Sequence, residues 1–576
     1  MRRIKRIFFL LLAGSSIVNA QVSTNTITQY GITWTFDANY TTGQFANGDY
    51  WVVGPVTLIG ISPQSTEGTD YGSGPRIING SMINPTPADN TTQGYDSEAY
   101  AWSSTERVYA GNLDYDDSKN IARINGQPIS STNTRVIPVS SSIVSTISTE
   151  APGRPIIQTA AVLTVLDEAP PADAFRPAYA GSDKTIQFTK SQLNYSALAN
   201  LAAVEGTPSL EKVEDMFNEL WLDHVPNWSA RYLHPVNSMS DYGQYLSRNI
   251  GDAILRLNIS ATDAEKEKLL IYIVQLGIDN YRVMQLGAEL ASGNWPPNGG
   301  HNMGRKLPIV LAGKVLGNND MLNIGVWNPS IAVGNFNPVF QEDLNLFYVA
   351  QSDVDETKIG RSGDPIVEQY TQDMIGMPEW GIEHSGPIGE TNRDNSYWNA
   401  GYRHINATAV LGHVLSAYIL GLKTNWQNDL FFEYYDRWWN KNLADGYLNS
   451  ASDLPEQALT PFTYEMWKTY RDNYGIETSI NDKNTIHSTN CAIYNYPNPF
   501  EDYTFIEYTL SKTNPVSLKI YDVVGNEIAV LINEIQQPGK YKITFNPETY
   551  HCKSGMYIYK LDNGNQTIAG NMVLLK

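Results

Sequence analysis

Four stretches of the chain gather side chains able to move protons and hold negative charge. The first runs from Asn294 through Trp295-Pro296-Pro297-Asn298-Gly299-Gly300-His301-Asn302-Met303-Gly304 to Arg305 and Lys306. Its Pro-Pro and Gly-Gly pairs fix an irregular backbone. They deliver His301, Asn302, Arg305 and Lys306 to the start of a helix, where free N–H groups and the neighbouring cations favour a carboxylate. The second, Pro378 to His384, places Glu379, Trp380, Glu383 and His384 close together. The third, Arg393 to Arg403, holds Tyr397, Trp398, Tyr402 and Arg403 ahead of a helix. The fourth is Tyr242, Gln244, Tyr245, Arg248 and Asn249, early in a helix, with Tyr242, Tyr245 and Asn249 on one face. The first and third have a plainer reading: His301 bonded within its loop, Tyr402 and Arg403 packing one helix on the next.

One reaction uses all these groups. In β-elimination on a uronic-acid polysaccharide, the C5 proton is weakly acidic until the neighbouring carboxylate is neutralised. Arg, Asn, His or a protonated Glu can do that by stabilising the charge that develops in the transition state. A Tyr or His with positive neighbours then takes the proton, and a Tyr can protonate the leaving oxygen. No metal or organic cofactor is required. Neither His-x-x-x-His nor Cys-x-x-Cys spacing is present, so a zinc site is not expected.

The elements that must position these loops read as helices. Ser209 to Leu222 has helical spacing, and Thr262-Asp263-Ala264-Glu265 is a capping box opening a run to Leu290. Gly304 to Leu316, Asn406 to Leu420 and Asn428 to Trp439 follow. Helices alternating with long, chemically loaded loops over 205–470 predict an α/α toroid, since a simple bundle has short loops. Before it, residues 21–200 predict a β-rich, sandwich-like domain, from alternating segments such as Ile32–Phe36, Tyr50–Val53, Val56–Ile61 and Ile156–Leu166. Asn47-Gly48 suits a tight hairpin turn. Asn47, Tyr50 and Trp51 would then reach a sugar cleft shared with the next domain, or serve only the turn and core.

Composition sets the outer limits. The 576 residues predict roughly three or four domains. With 42% hydrophobic and 17% charged residues, a mostly disordered chain is excluded. A net charge of −20 argues against nucleic acid. The 35 Tyr and 13 Trp supply flat faces with polar tips, of use in sugar clefts and in cores alike. Residues 1–20 read as a Sec-type signal peptide: Arg2, Arg3, Lys5 and Arg6, then an apolar run from Ile7 to Gly14, then Val18-Asn19-Ala20. No stretch is long enough to span a membrane. Cys491 and Cys552 would pair, if at all, within the tail.

After a linker over 471–490, rich in Ser, Asn and Thr from Thr478, the sequence changes character. Tyr496-Pro497-Asn498-Pro499-Phe500, Ile520-Tyr521-Asp522 with the turn at Gly525, Gly555-Met556-Tyr557-Ile558-Tyr559 and the terminal Met572 to Lys576 punctuate short alternating strands, a small β-sandwich. As a set, these residues over 491–576 resemble the C-terminal sorting domain of type IX secretion cargo. That resemblance implies a Bacteroidetes-type route to the outside or the cell surface, the type IX machinery as a partner, and a tail that is cleaved or surface-attached. A carbohydrate-binding β-module is the alternative.

The organisation over 205–445, with its Asn-Gly-Gly-His-Asn and Tyr-Arg loops, resembles polysaccharide lyases of the toroid type, including alginate and glucuronan lyases. In those enzymes an Asn or His acts with a Tyr and an Arg. The resemblance implies catalytic roles for Asn302 or His301, Tyr402 and Arg403, with Glu379 and His384 alongside. Arg305, Tyr242, Tyr245, Arg248, Trp295, Trp380 and Tyr397 are the expected substrate contacts. The substrate would be an anionic polymer: alginate, glucuronan or ulvan. The β-domain precedes the helices here, whereas in that family it more commonly follows. Two rivals are an α/α-barrel glycoside hydrolase, drawing two carboxylates from Glu379, Glu383, Asp394 and Asp241, and a non-catalytic surface glycan-binding protein.

Overall fold

The computed structural model describes residues 21–70, 75–97, 113–150, 153–287, 295–325, 340–357, 365, 369–381, 402–444, 458–474, 493–496, 500–510, 513–522, 525–564 and 567–575. The chain divides into two units. One comprises 1–347 and 380–476, the other 348–379 and 477–576. The expected signal peptide and the linker from residue 475 onward lie outside the described residues.

The first unit opens on an eight-stranded sheet built from β1 (Val22–Gln29), β2 (Ile32–Gln44), β3 (Tyr50–Val53), β4 (Val56–Ser62), β5 (Ser81–Ile83), β6 (Arg135–Ile137), β7 (Ser141–Ser148) and β8 (Ile157–Leu166). Their order is β6-β4-β2-β3-β8-β7-β5, with β1 beside β2. All pairs are antiparallel except β3 with β8, where Tyr50 faces Leu163 and Val52 faces Val165. In β2, Ile32, Trp34 and Phe36 alternate inward, as a half-buried strand dictates. β8 is buried almost throughout and sits mid-sheet. The β-rich expectation is met: beside this mixed sheet stand three two-stranded pairs, Glu67–Asp70 with Pro75–Ile77, Thr92–Gln93 with Asp114–Tyr115 and Arg123–Ile124 with Gln127–Pro128. Phe45 N–H donates to Asp49 O (2.8 Å) across the Asn47-Gly48 turn, and Gly48 takes φ +89°. Trp51 is buried against Phe45, Leu166 and Ala174.

Arg176 ties this domain to the helices. It donates to Asp49 (2.6 Å) and, through two nitrogens, to Asp279 (3.0 and 2.6 Å). The main helices are α1 (Gly243–Leu257), α2 (Asp263–Gly287), α3 (Lys306–Leu316), α4 (Leu411–Ile419), α5 (Asp429–Ala444) and α6 (Pro461–Tyr470). α2 starts at the expected capping box: Thr262 N–H donates to Glu265 (2.8 Å), and Glu265 N–H to Thr262 Oγ1 (3.3 Å). α1 and α4 cross where neither has a side chain. A β-carbon on Gly251 would lie 3.0 Å from Gly412 Cα. The helix expected over 209–222 ends at Glu214. Beyond it Phe217 stacks on Trp221 (5.1 Å between rings), and the Trp221 indole donates to Met216 O (3.1 Å), contacts that displace the helical ladder.

In the second unit, β9 (Ile493–Tyr496), β10 (Thr504–Leu510), β11 (Asn514–Asp522), β12 (Glu527–Gln536), β13 (Gly539–Phe545), β14 (Gly555–Asp562) and β15 (Thr567–Leu574) form two sheets. Their orders are β9-β10-β13 and β12-β11-β14-β15. Ile506, Leu518, Ile520, Phe545, Leu561 and Met572 share one core, so the tail is β-rich as expected. Cys552 is buried there, and Cys491 lies outside the described residues. No described helix is long and apolar enough to cross a membrane.

Candidate functional site

The Asn-Gly-Gly-His-Asn loop is shaped from behind by residues 341–343. Gln341 donates to Gly299 O (2.6 Å) and accepts from Asn302 N–H (2.7 Å). The Glu342 carboxylate accepts from Gly304 N–H (3.0 Å) and Lys306 N–H (3.1 Å), capping α3. Trp380 Nε1 donates to Gly299 O as well (3.1 Å). On the other side the loop presses on the start of α1. A β-carbon on Gly243 would lie 2.6 Å from Gly300 O, so only glycine fits there.

This clamping delivers His301 to a half-buried cluster. Its imidazole meets Tyr242 edge-on, with ring centres 4.7 Å apart. Arg231 Nη1 lies 3.5 Å from His301 Nδ1, and the guanidinium stands 5.2 Å above the Tyr242 ring. Trp228 flanks His301 at 6.2 Å. Asp241 holds Arg231 (2.5 Å) and also pairs with Arg154 (3.5 Å).

Tyr402 enters from the turn before α4. Residues 403–407 form a π-helical turn, a distortion frequent at functional sites. That turn carries Asn406 to the Gly299-Gly300 corner. A β-carbon on Gly299 would lie 3.3 Å from Tyr402 Oη, and one on Gly300 2.7 Å from Asn406 Cγ. Asn406 is 1% exposed, and its amide acts on the Tyr242 hydroxyl beside the Gly300 corner. Burial raises the Tyr242 pKa well above the ordinary tyrosine value, and the adjacent Tyr402 hydroxyl adds to the rise. Arg231 and the Asn406 amide oppose it. Tyr242 is therefore a neutral phenol at neutral pH.

The expected residues divide. His301, Tyr242 and Tyr402 come together. Tyr245 borders Tyr242 (6.4 Å), with Arg248 over its ring (5.4 Å). Asn302 is turned away: buried, it donates to Pro296 O (2.7 Å). Arg305 is committed to buried Asp223 through two contacts (2.7 and 3.1 Å) and to Met303 O (2.6 Å). Burial alone would raise the Asp223 pKa, but Arg305 and His234 override it and hold it at about 2. Lys306 likewise binds Asp343 (2.7 Å). Trp295 is buried against Phe340, and Trp380 is fully buried. Arg403 is buried too. Glu379 belongs to the second unit, where it accepts from Tyr370 (2.9 Å). His384, Tyr397, Glu383 and Asp394 lie outside the described residues.

Three members escaped the sequence reading as candidates for this chemistry. Arg231 and Trp228 sit in a 3-10 turn over Asn227–Tyr232, which has no periodic signature. Asn406 had one available signal: it follows Tyr402 by four residues, the spacing that shares a helix face.

Comparison with known proteins is informative for the tail. No curated protein matches the chain. A solved structure of PorZ, a bacterial surface component of the type IX secretion system of Porphyromonas gingivalis, is 18% identical over 15% of this chain and 11% of its own, with a TM-score of 0.12. So small an overlap carries no argument about fold or activity. Residues 494–575 match the family described as Secretion system C-terminal sorting domain, and the protein is accordingly one exported by the type IX route, secreted or held at the cell surface.

Proposed function

We propose that the protein is a polysaccharide lyase that cleaves a uronic-acid-containing polymer by β-elimination, on a helical domain of the α/α-toroid type. The observation that carries this reading is the cluster itself: imidazole, guanidinium, two phenols and a buried carboxamide gathered at the Gly299-Gly300 corner. Asn406, His301 and Arg231 are the groups that would quiet a sugar carboxylate, in a place where pre-set donors need no reorganisation. Asn406 suits this role because its buried amide is held in place beside Tyr242 and the Gly300 corner, a donor set before substrate arrives.

Once the carboxylate is neutralised, the C5 proton passes to a base, for which His301 and Tyr402 are the candidates in the cluster. Tyr242, neutral because it is buried, suits protonation of the leaving glycosidic oxygen. Electrons from the broken C5–H bond form the C4–C5 double bond as the C4–O bond breaks. A hydrolase would instead need two carboxylates facing the sugar. Asp241, the carboxylate bound to Arg231, is occupied by that guanidinium and Arg154.

The test is to incubate the purified chain with glucuronan, alginate and ulvan. A lyase yields unsaturated ends that absorb in the ultraviolet. New reducing ends without that absorbance would replace this reading with hydrolysis, and no product of either kind would leave glycan binding alone.

A further inference from the structure

We propose that Arg154, on the loop between β7 and β8, receives the carboxylate of the sugar next to the one that is cleaved, so that the site selects runs of consecutive uronates. The choice of a uronate rests on the function proposed above. The second binding position is read from the fold.

The Arg154 loop is fixed against the segment that carries Arg231. Ile156 N–H donates to Tyr232 O (2.9 Å), Val236 N–H to Ile157 O (3.0 Å) and Asn237 N–H to Gln158 O (3.0 Å). The β-rich domain thereby brings a guanidinium of its own to the edge of the His301 cluster. There Asp241 Oδ2 lies 2.5 Å from Arg231 Nη2 and 3.5 Å from Arg154 Nε. The first contact is a charge-assisted hydrogen bond. The second is longer than the usual length of such a bond, about 2.7–2.9 Å. Among the described residues Arg154 has no other ion-pair partner.

The charges at this edge do not balance. Two guanidiniums share one carboxylate, and Asp241 is committed to the nearer. Burial lowers the Arg231 pKa, Asp241 opposes the fall, and the positive charge of Arg154 adds to it. A further anion here relieves that repulsion. The two arginines differ in access: the Arg231 side chain is 12% exposed and the Arg154 side chain 40%. Arg231, over the Tyr242 ring, suits the carboxylate of the reacting sugar. Arg154 turns its planar fork to solvent, and such a fork takes a carboxylate through two parallel bonds. Exposed ion pairs contribute little, so the effect is on the order of fivefold rather than a hundredfold.

Tyr242→Phe, which lacks the proposed acid, allows binding to be titrated without cleavage. In that background a glucuronate tetramer should bind more tightly than a glucose tetramer carrying a single glucuronate. Adding Arg154→Gln should weaken the glucuronate tetramer about fivefold and bring the two affinities together. Arg154→Lys, which keeps the charge, should recover part of the loss. If Arg154 served only to hold Asp241 and Arg231, both tetramers would weaken alike. That outcome, or undiminished binding, overturns the proposal. The ultraviolet assay on the parent separates this position from the reaction. An Arg154-dependent preference without any unsaturated product sinks the lyase reading and leaves the second position standing. Unsaturated product with no such preference does the reverse.

Discussion

Gly300 and Asn406 are fitted so closely that no side chain can stand between them. A β-carbon at position 300 would come within 2.7 Å of Asn406 Cγ, and nearer still to the amide oxygen. The Gly300→Ala variant must therefore push the carboxamide out of place. A displacement of about 1 Å can cost on the order of a hundredfold in rate. Turnover of the uronate polymer should fall by about that factor, with the melting midpoint within a few degrees of the parent. Parental turnover in Gly300→Ala would remove Asn406 from the reaction.

Arg305 is expected to matter for stability rather than for substrate. Its guanidinium neutralises Asp223, and both are almost fully buried. Arg305→Ala strands a buried carboxylate, which costs about 3–5 kcal/mol. Denaturant unfolding should show that loss. The double variant Arg305→Met with Asp223→Leu should recover much of it, because the stranded charge is then gone. Normal stability in Arg305→Ala would return the residue to the list of substrate contacts.

What could be read in the sequence, and what could not, follows from range. Local signals worked: the Thr262–Glu265 capping box, the Asn47-Gly48 turn and the strand alternation in Ile32–Phe36 all depend on neighbours a few residues apart. His301, Tyr242 and Tyr402 stood out because chemically loaded residues follow glycines or precede helices. The partners of charged groups could not be read. Asp223 is 82 residues from Arg305, and Asp343 is 37 from Lys306, so two cations that looked available at a helix start are neutralised from afar. Asn406 was hidden in another way. Its π-helical turn has no sequence signature, and its closeness to Gly300 exists only in the fold.

Stability should fall on acidification below about pH 6.5. His224 and His413 are buried, and burial lowers each pKa to about 4. Burial, with Arg403 nearby, does the same to His404. Unfolded histidines bind protons near pH 6.5, so between pH 6.5 and 4 the unfolded chain binds more protons and folding is penalised. Asp252 opposes this. Burial raises its pKa to about 6, against hydrogen bonds from Thr463 and Thr460. In that window the folded state binds its proton more tightly. Burial raises the pKa values of Glu342, Asp279 and Glu433 as well, so these carboxyls join Asp252, and the net loss is smaller than the roughly 1.4 kcal/mol per pH unit that each histidine alone would give. Unfolding at pH 7.5, 6.0 and 5.0 checks the slope. Asp252→Asn should stabilise the protein at pH 7.5 by about 1 kcal/mol and have little effect near pH 4.

Export should depend on the core of the tail. Met572 is fully buried and lies in β15, which closes the four-stranded sheet against β14. Phe500 N–H donates to Val573 O (2.9 Å), and Leu575 N–H to Phe500 O (2.7 Å), so the chain end is stitched into the tail's own entry segment. Met572→Asp would place a charge in that core, at a cost of several kcal/mol. The variant should accumulate inside the cell envelope rather than at the surface or in the medium. Met572→Leu, which preserves volume and polarity, should be exported normally. Fractionation followed by immunoblotting distinguishes these outcomes. Normal surface delivery of Met572→Asp would mean that the secretion route reads a short linear segment, with no need for the folded sheet that residues 493–575 build.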